Sequence, residues 1–370
     1  MHPIGMPSAG KNKKPLRVLF IVPAPTGISP GQRFRFEHYL GDLEKTGIRY
    51  RISSFYTLSG WRKLFRHGGA LGKALTVVRG FGRRFLDMFR LWHYDFVYVY
   101  REAAPIGPPF FEWVIARLCR KKMIYDFDDA IWIPASSQYN KLASGLRWFS
   151  KVGTICRWSH IVTVGNAFLA DFARQHNPAG TRIIPTVVNT EAVHKGFRQH
   201  EDTNLVVGWT GTFSTLKYLD MVLPALQNLQ EKLDFTFLVI ADKDPALPLK
   251  KYRYLPWRKD TEVDDLLNMD IGLMPLYDDE LSKGKCGFKA IQYMSLGIPA
   301  VVSPVGVNAV IVENGLNGYV CGSPAEWEAG ITLLLTNRDL RTRMGQAAQS
   351  RIEAAYSVNA TRSDFVNLFV

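Results

Sequence analysis

Cysteine is scarce in this chain, and acidic residues are outnumbered by basic ones. Cys119, Cys156, Cys286 and Cys321 are scattered, with neither the close pairs of a zinc clip nor the framework of a disulfide-stapled scaffold. That usage fits a reducing compartment. No run approaches the roughly 20 apolar residues that a membrane-spanning helix needs. The first apolar run, Val18 to Val22, is too short for a secretory signal and ends against Pro23 and Pro25. Aspartate and glutamate number 33 against 46 lysines and arginines, leaving a formal charge of +13. Such an imbalance points to an acidic partner: a nucleotide, an anionic lipid surface or a nucleic acid. The basic residues concentrate in one segment and no RNA- or DNA-binding motif accompanies them, which disfavours nucleic acid.

What is present suggests two domains. The 370 residues are 47% hydrophobic, enough to fill two cores. Residues 1–14 are polar and basic and read as a disordered leader. Leu16 to Val22 reads as a buried strand, followed by a loop rich in proline and glycine and a helix over Arg33 to Lys45. Strands are expected at Phe96–Tyr100, Lys122–Tyr125, His160–Val164 and Arg182–Ile184, with helices between them. After a polar stretch over 195–204 the pattern restarts at Leu205 to Trp209. A helix is expected over Thr215 to Leu229. Further strands are expected at Phe235–Ile240, Tyr252–Leu255, Ile271–Met274, Ala300–Val302 and Tyr319–Val320, and a terminal helix over Leu340 to Tyr356. Such alternation gives an α/β fold with mostly parallel sheets. The expected division is 15–195 and 205–350, two Rossmann-like doubly wound domains, with 351–370 packing back towards the first.

The most informative stretch runs from Gly284 to Asn308. A glycine-bounded loop with Lys285 and Lys289 leads into a short helix over Phe288 to Leu296, which Gly297 stops at its C-cap. Two lysines and free N–H groups at a helix start form a site for a dianion such as a diphosphate. Gln292 lies within one turn of Lys289 and can hydrogen-bond whatever the diphosphate carries. Thr210-Gly211-Thr212 follows the second domain's first strand, and small residues there let the backbone approach a phosphate.

On these residues, together with Tyr293 to Pro299 and Ser303 to Asn308, the chain resembles glycosyltransferase family 4, the retaining group with the GT-B fold. The family's Glu-x7-Glu pattern falls here on Gly284 and Gln292, with the Phe-Gly turn at Gly287 and Phe288. Both glutamates are missing. Asp278, Asp279 or Glu280 is a candidate for the absent carboxylate, and Gln292→Glu is expected to be tolerated. The resemblance implies two domains facing across a cleft, with no cofactor and no metal. Nucleotide-sugar contacts would come from Gly211, Thr212, Lys217, Trp257, Lys285, Gly287, Phe288, Lys289 and Gln292. Trp257 either stacks on the base or caps the core. Lys217 would help to neutralise the diphosphate. In the first domain Asp126, Asp128 and Asp129 crowd the end of a strand. Asp126 and Asp128, with Lys289, are the catalytic candidates, while Asp128 or Asp129 as a helix cap is the alternative. Gly31, Arg33 and Arg101 lie at the expected cleft edge as acceptor or phosphate contacts.

The implied activity is transfer of a sugar from a nucleoside diphosphate sugar to an envelope, exopolysaccharide or lipid-linked acceptor. A nucleotide-sugar epimerase of the same fold and a non-enzymatic polyanion-binding protein are the alternatives. Residues 61–101 carry Arg62, Lys63, Arg66, Lys73, Arg79, Arg83, Arg84, Arg90 and Arg101 against few acids. Leu71, Leu75, Val78, Phe85, Phe89 and Trp92 fall at helical spacing among them. This is either a basic amphipathic helix on an anionic membrane or a helix packed on the sheet. The membrane reading places the protein in the cytoplasm, peripherally at the inner face of the membrane. It also expects reversal of Arg83, Arg84 and Arg90 to leave the fold intact.

Overall fold

The computed structural model describes residues 14–64, 68–134 and 148–370. Arg66 and all but the last residue of the expected leader lie outside them. The described residues form two six-stranded, wholly parallel sheets. The first contains β1 (Arg17–Val22), β2 (Arg49–Ser54), β3 (Phe96–Tyr100), β4 (Lys122–Phe127), β5 (Ile161–Val164) and β6 (Thr181–Ile183), in the order β2-β1-β3-β4-β5-β6. The second contains β7 (Val206–Thr210), β8 (Thr236–Ala241), β9 (Tyr252–Pro256), β10 (Ile271–Met274), β11 (Ala300–Val302) and β12 (Gly318–Val320), in the order β12-β11-β10-β7-β8-β9. Helices cover both faces of each sheet, which is why the central strands β3 and β10 are apolar and buried along their whole length.

Strand β2 has no counterpart in the sequence reading. Its Arg-Tyr-Arg-Ile-Ser-Ser run alternates exposed and covered residues, as an edge strand with one neighbour and one wet face does. Two expected helices are broken. The one after β1 is a short helix over Pro30–Arg35, a turn of 3-10 helix and a second short helix over Leu40–Lys45. The one after β7 is 3-10 over Phe213–Met221 and becomes α-helical only at Leu223–Gln230, where Pro224 fits a first turn but not an interior.

The chain end returns to the first domain. The Arg338–Ala355 helix packs on the second domain, and the Val358–Val366 helix then crosses over. Phe365 stacks on Tyr39 at 4.3 Å, the Tyr39 hydroxyl meets Thr361 Oγ1 at 2.6 Å, and Phe369 joins the core around Phe20 and Phe96.

The Ala70–Phe89 helix is held by Val77, Phe81 and Met88, which pack on the first core, and by Arg84. Arg84 is fully buried and donates to the carbonyls of Val22, Ser53 and Ala103 and to Asp87. It therefore ties the helix to the ends of β1 and β2 and to the turn after β3. The expectation that Arg84 can be reversed harmlessly is thus corrected. Arg84→Ala takes a charged donor from three buried carbonyls and from the Asp87 carboxylate, and is expected to cost about 3–5 kcal/mol in denaturant unfolding. Arg79→Ala, at an exposed position of the same helix, should stay within about 0.5 kcal/mol of the wild type.

Candidate functional site

In open α/β sheets, ligands bind beyond the carboxyl ends of strands where the strand order reverses. Those points are β1/β3 in the first sheet and β7/β10 in the second. Here the two ends face one another across two adjoining cavities. The larger, about 320 Å³, is lined by Thr210, Gly211, Thr212, Thr215, Asp242, Trp257, Glu262 and Gln292. The smaller, about 170 Å³, is lined by Gly31, Arg101, Asp128, Asp129, Thr186, Met274, Lys285 and Cys286. Pro30, Phe288 and Lys289 line both, so Lys289 stands at the junction.

The lysine loop owes its shape to two glycines. Gly287 sits at φ +67° and starts the Phe288–Ser295 helix, whose N-terminus no side chain caps. A Cβ on Gly284 would lie 2.7 Å from that of Ala130 in the first domain, so no glutamate fits where the resembled family has one. The same loop is bonded to the first domain. Asn166 Nδ2 donates to the carbonyls of Lys283 and Lys285, at 3.2 and 2.9 Å. The Cys286 thiol donates to the Asp128 carbonyl at 3.2 Å, and burial, followed by the charge of Asp128, pushes its pKa up to about 12. Lys289 packs over the Trp209 ring at 5.5 Å. Burial first, and then the neighbouring Lys285 charge, pulls its pKa down to about 7. A half-buried ammonium beside a second cation and an uncapped helix start is a place for a dianion.

On the first-domain wall Asp128 accepts from Tyr100 Oη at 2.9 Å and pairs with Arg101 at 2.8 Å. Burial works to raise its pKa, but Arg101 and Arg35 together hold it below the usual carboxylate range. Asp129 lines the smaller cavity and accepts from the Ala130 N–H. Arg101 and Gly31 also reach that cavity.

Several expected placements are corrected. Asp126 does not reach either cavity: it is fully buried, with both oxygens on Arg35 and one shared with Thr163. Its proximity to Asp128 in sequence misled because Asp126 lies inside β4, held by Arg35, whereas Asp128 lies beyond the end of the strand, where it reaches the cleft. Arg33 is not an open cleft residue but pairs with Glu262 of the second domain at 2.7 Å, both side chains 5% exposed. Lys217 lines neither cavity. Lys217 Nζ lies 5.2 Å from the centre of the Tyr218 ring, and Lys285 Nζ lies 5.8 Å from it. The Thr210–Thr212 loop lines the larger cavity, but its amides are engaged: Gly211 N–H donates to Ile240 O, Thr212 N–H to Thr215 Oγ1 and Phe213 N–H to Asp242. Trp257 both lines the cavity and packs on the second core.

Glu262 was missed. It looked like one more acid in the Glu262-Val263-Asp264-Asp265 helix start, and nothing local separates it from its neighbours. Yet Glu262 Oε1 accepts from Gln292 Nε2 at 3.1 Å, whereas Asp278 pairs with Lys283 and Asp279 caps its own short helix. The carboxylate beside Gln292 is therefore Glu262. Gln292→Glu, expected from the alignment to be tolerated, would press two buried carboxylates together. Among the described residues no cluster of three or more His, Cys, Asp or Glu side chains is arranged to hold a metal ion.

Residues 191–351 match the family model described as glycosyl transferases group 1. The whole chain superposes on solved GT-B structures. The sucrose-phosphate synthase of Thermosynechococcus elongatus aligns at a TM-score of 0.70 and 14% identity, over 96% of this chain and 98% of that one. A glycosyltransferase from Rickettsia africae aligns at 0.69 and 13%, again over 96% and 98%. Anabaena HepE, solved with UDP and glucose, aligns at 0.62 and 15%, over 95% and 98%. No curated protein matches by sequence. The fold is thus GT-B.

The state of Lys289 gives a pH test. A bound diphosphate favours the ammonium, so binding above the free pKa must take up a proton. Affinity for UDP should be flat just below about pH 7 and fall by up to about tenfold per unit above it. Isothermal titration between pH 6.5 and 9 should show this slope in wild type and its loss in Lys289→Met.

Proposed function

We propose that this protein is a glycosyltransferase that moves a sugar from a nucleoside diphosphate sugar, with retention, onto a saccharide or lipid-linked acceptor of the cell envelope or an exopolysaccharide. The observation that carries the reading is Lys289 at the junction of the two cavities, with Lys285 and an uncapped helix N-terminus beside it. The larger cavity, walled by Trp257 and Phe288, suits a nucleoside. The smaller, with Arg101, Asp128 and Asp129, suits the sugar and the attacking hydroxyl. HepE, a fold relative, was solved with UDP-glucose, which makes a uridine donor the first to test.

In this reading catalysis is largely electrostatic. Lys285, Lys289 and the helix N–H groups stabilise the charge that builds on the departing diphosphate. Asp128 orients the acceptor and faces the positive charge developing at the anomeric carbon, while Arg35 and Asp126 support that wall from behind. No divalent metal takes part, because arginine already neutralises the carboxylate at this end of the cleft. The closed cleft keeps water from the sugar.

The acceptor side is proposed to lie against an anionic membrane. Among the described residues no helix is long and apolar enough to cross a bilayer. Supporting peripheral attachment, Leu71, Val78, Phe89 and Trp92 are 86%, 64%, 76% and 74% exposed. Their apolar surface continues through Phe85 to Phe110 and Trp113, whose rings are in contact. Arg79 and Arg90 are exposed on the same segment, where each is worth up to about 1 kcal/mol near an anionic surface.

Two outcomes check this. In a panel of UDP-, GDP-, ADP- and dTDP-sugars, one donor at a hundred times its dissociation constant should stabilise the fold by about 2.7 kcal/mol. With that donor, transfer should persist in EDTA, and Lys285→Ala and Lys289→Ala should each raise the barrier by about 2–4 kcal/mol. Release of free sugar without an acceptor would mean an epimerase instead. For the membrane, the protein should co-sediment with phosphatidylserine vesicles at low salt and be released by high salt. Phe89→Ala/Trp92→Ala and Arg79→Glu/Arg90→Glu should each abolish sedimentation while leaving the melting temperature unchanged. Wild type remaining in the supernatant at low salt would refute the attachment.

A further inference from the structure

We infer that Glu262 is the residue that reads the ribose of the bound nucleotide, with Gln292 and Arg33 as positioning residues; the inference rests on the nucleotide-sugar reading above. Glu262 is a buried carboxylate in the wall of a cavity whose other walls are Trp257, Phe288 and a run of threonines. A carboxylate in such a place is costly unless its lone pairs are used. Two protein donors reach it: Gln292 Nε2 on one oxygen at 3.1 Å, and Arg33 Nη2 on the other at 2.7 Å. An ionised carboxylate accepts about four hydrogen bonds. The two remaining sites match the vicinal hydroxyls of a ribose, the group that a lone acidic side chain reads in other nucleotide-binding α/β folds.

Position along the ligand agrees. Gln292 lies three residues beyond Lys289 on the same helix face. A sugar ring one linkage away from a diphosphate held at Lys289 therefore falls beside Gln292 and Glu262, with Trp257 beyond for the base. Asp242 is the other carboxylate of this cavity, but it is exposed at the rim and already accepts from the Phe213 N–H at 2.6 Å. Gln292 donates one N–H to Glu262, and its neutral amide oxygen accepts a hydroxyl more weakly than a carboxylate does. Arg33 comes from the first domain and Glu262 from the second, so closing the cleft is what completes the orientation of the carboxylate.

The test compares UDP, GDP and ADP with their 2′,3′-dideoxy counterparts by isothermal titration. Wild type should bind one ribonucleotide at least about tenfold more tightly than its dideoxy form. Glu262→Gln is isosteric and should erase that preference, weakening the ribonucleotide about tenfold while leaving the dideoxy form within about twofold. Gln292→Glu alone should bind poorly, and the exchange Glu262→Gln/Gln292→Glu, which returns one carboxylate to the pair, should restore the preference. If Glu262→Gln keeps the full preference, or weakens both forms equally, Glu262 is only an interdomain contact and the inference fails while the donor reading stands. If wild type binds none of the three diphosphates, the ribose inference fails; if it also fails to bind dTDP, the donor reading fails with it.

Discussion

The site exists only because the lysine loop is pinned across the cleft. Asn166 holds the carbonyls of Lys283 and Lys285, the Cys286 thiol holds the Asp128 carbonyl, and Gly284 lets the chain pass against Ala130. These contacts are made by backbone carbonyls of the loop and by the Cys286 side chain, so they fix its path and leave the lysine side chains free. Remove them and Lys285 and Lys289 become two flexible cations on a surface. With them, two like charges stay close together beside a helix N-terminus, a repulsive arrangement that an anionic ligand relieves.

The buried ion pairs behind the cleft should be read in the same terms. Arg35–Asp126, Arg33–Glu262 and Arg84–Asp87 are each almost wholly removed from water. Such pairs roughly break even against desolvation, so they say little about net stability. What they contribute here is position. Arg35 links the first helix of the chain to the end of β4 and lowers the pKa of Asp128 from behind. Arg33 joins the two domains at the nucleoside cavity. Arg84 and the inward-facing Phe81 anchor a long helix whose Leu71, Leu75, Leu86 and Phe89 face outward.

The departure from the resembled family's motif also becomes intelligible. A glutamate at position 284 would collide with the first domain, and a glutamate at 292 would face Glu262. The two missing carboxylates are therefore not simple losses. One is excluded by the close approach of Ala130, and the other is compensated by an acid thirty residues upstream.

The sequence by itself determined the periodic, local part of this protein. Eleven of the twelve strands were marked: the inner ones because a strand buried on both faces is an apolar run, and the partly exposed edge strands β6 and β9 by their branched and aromatic residues. The exception, β2, is an edge strand with arginines on its wet side. Lys285, Gly287 and Lys289 were legible because a loop, a cap and a helix start are consecutive in the chain. Whatever depends on contacts between distant residues was decided by the tertiary structure. That includes the burial of Asp126 under Arg35, the capture of Arg33 by Glu262, the displacement of Lys217 to the rim, and the exposure of the Ala70–Phe89 stripe. A spacing rule says which residues share a face, but the partner across that face comes from another part of the chain, and only folding brings it there.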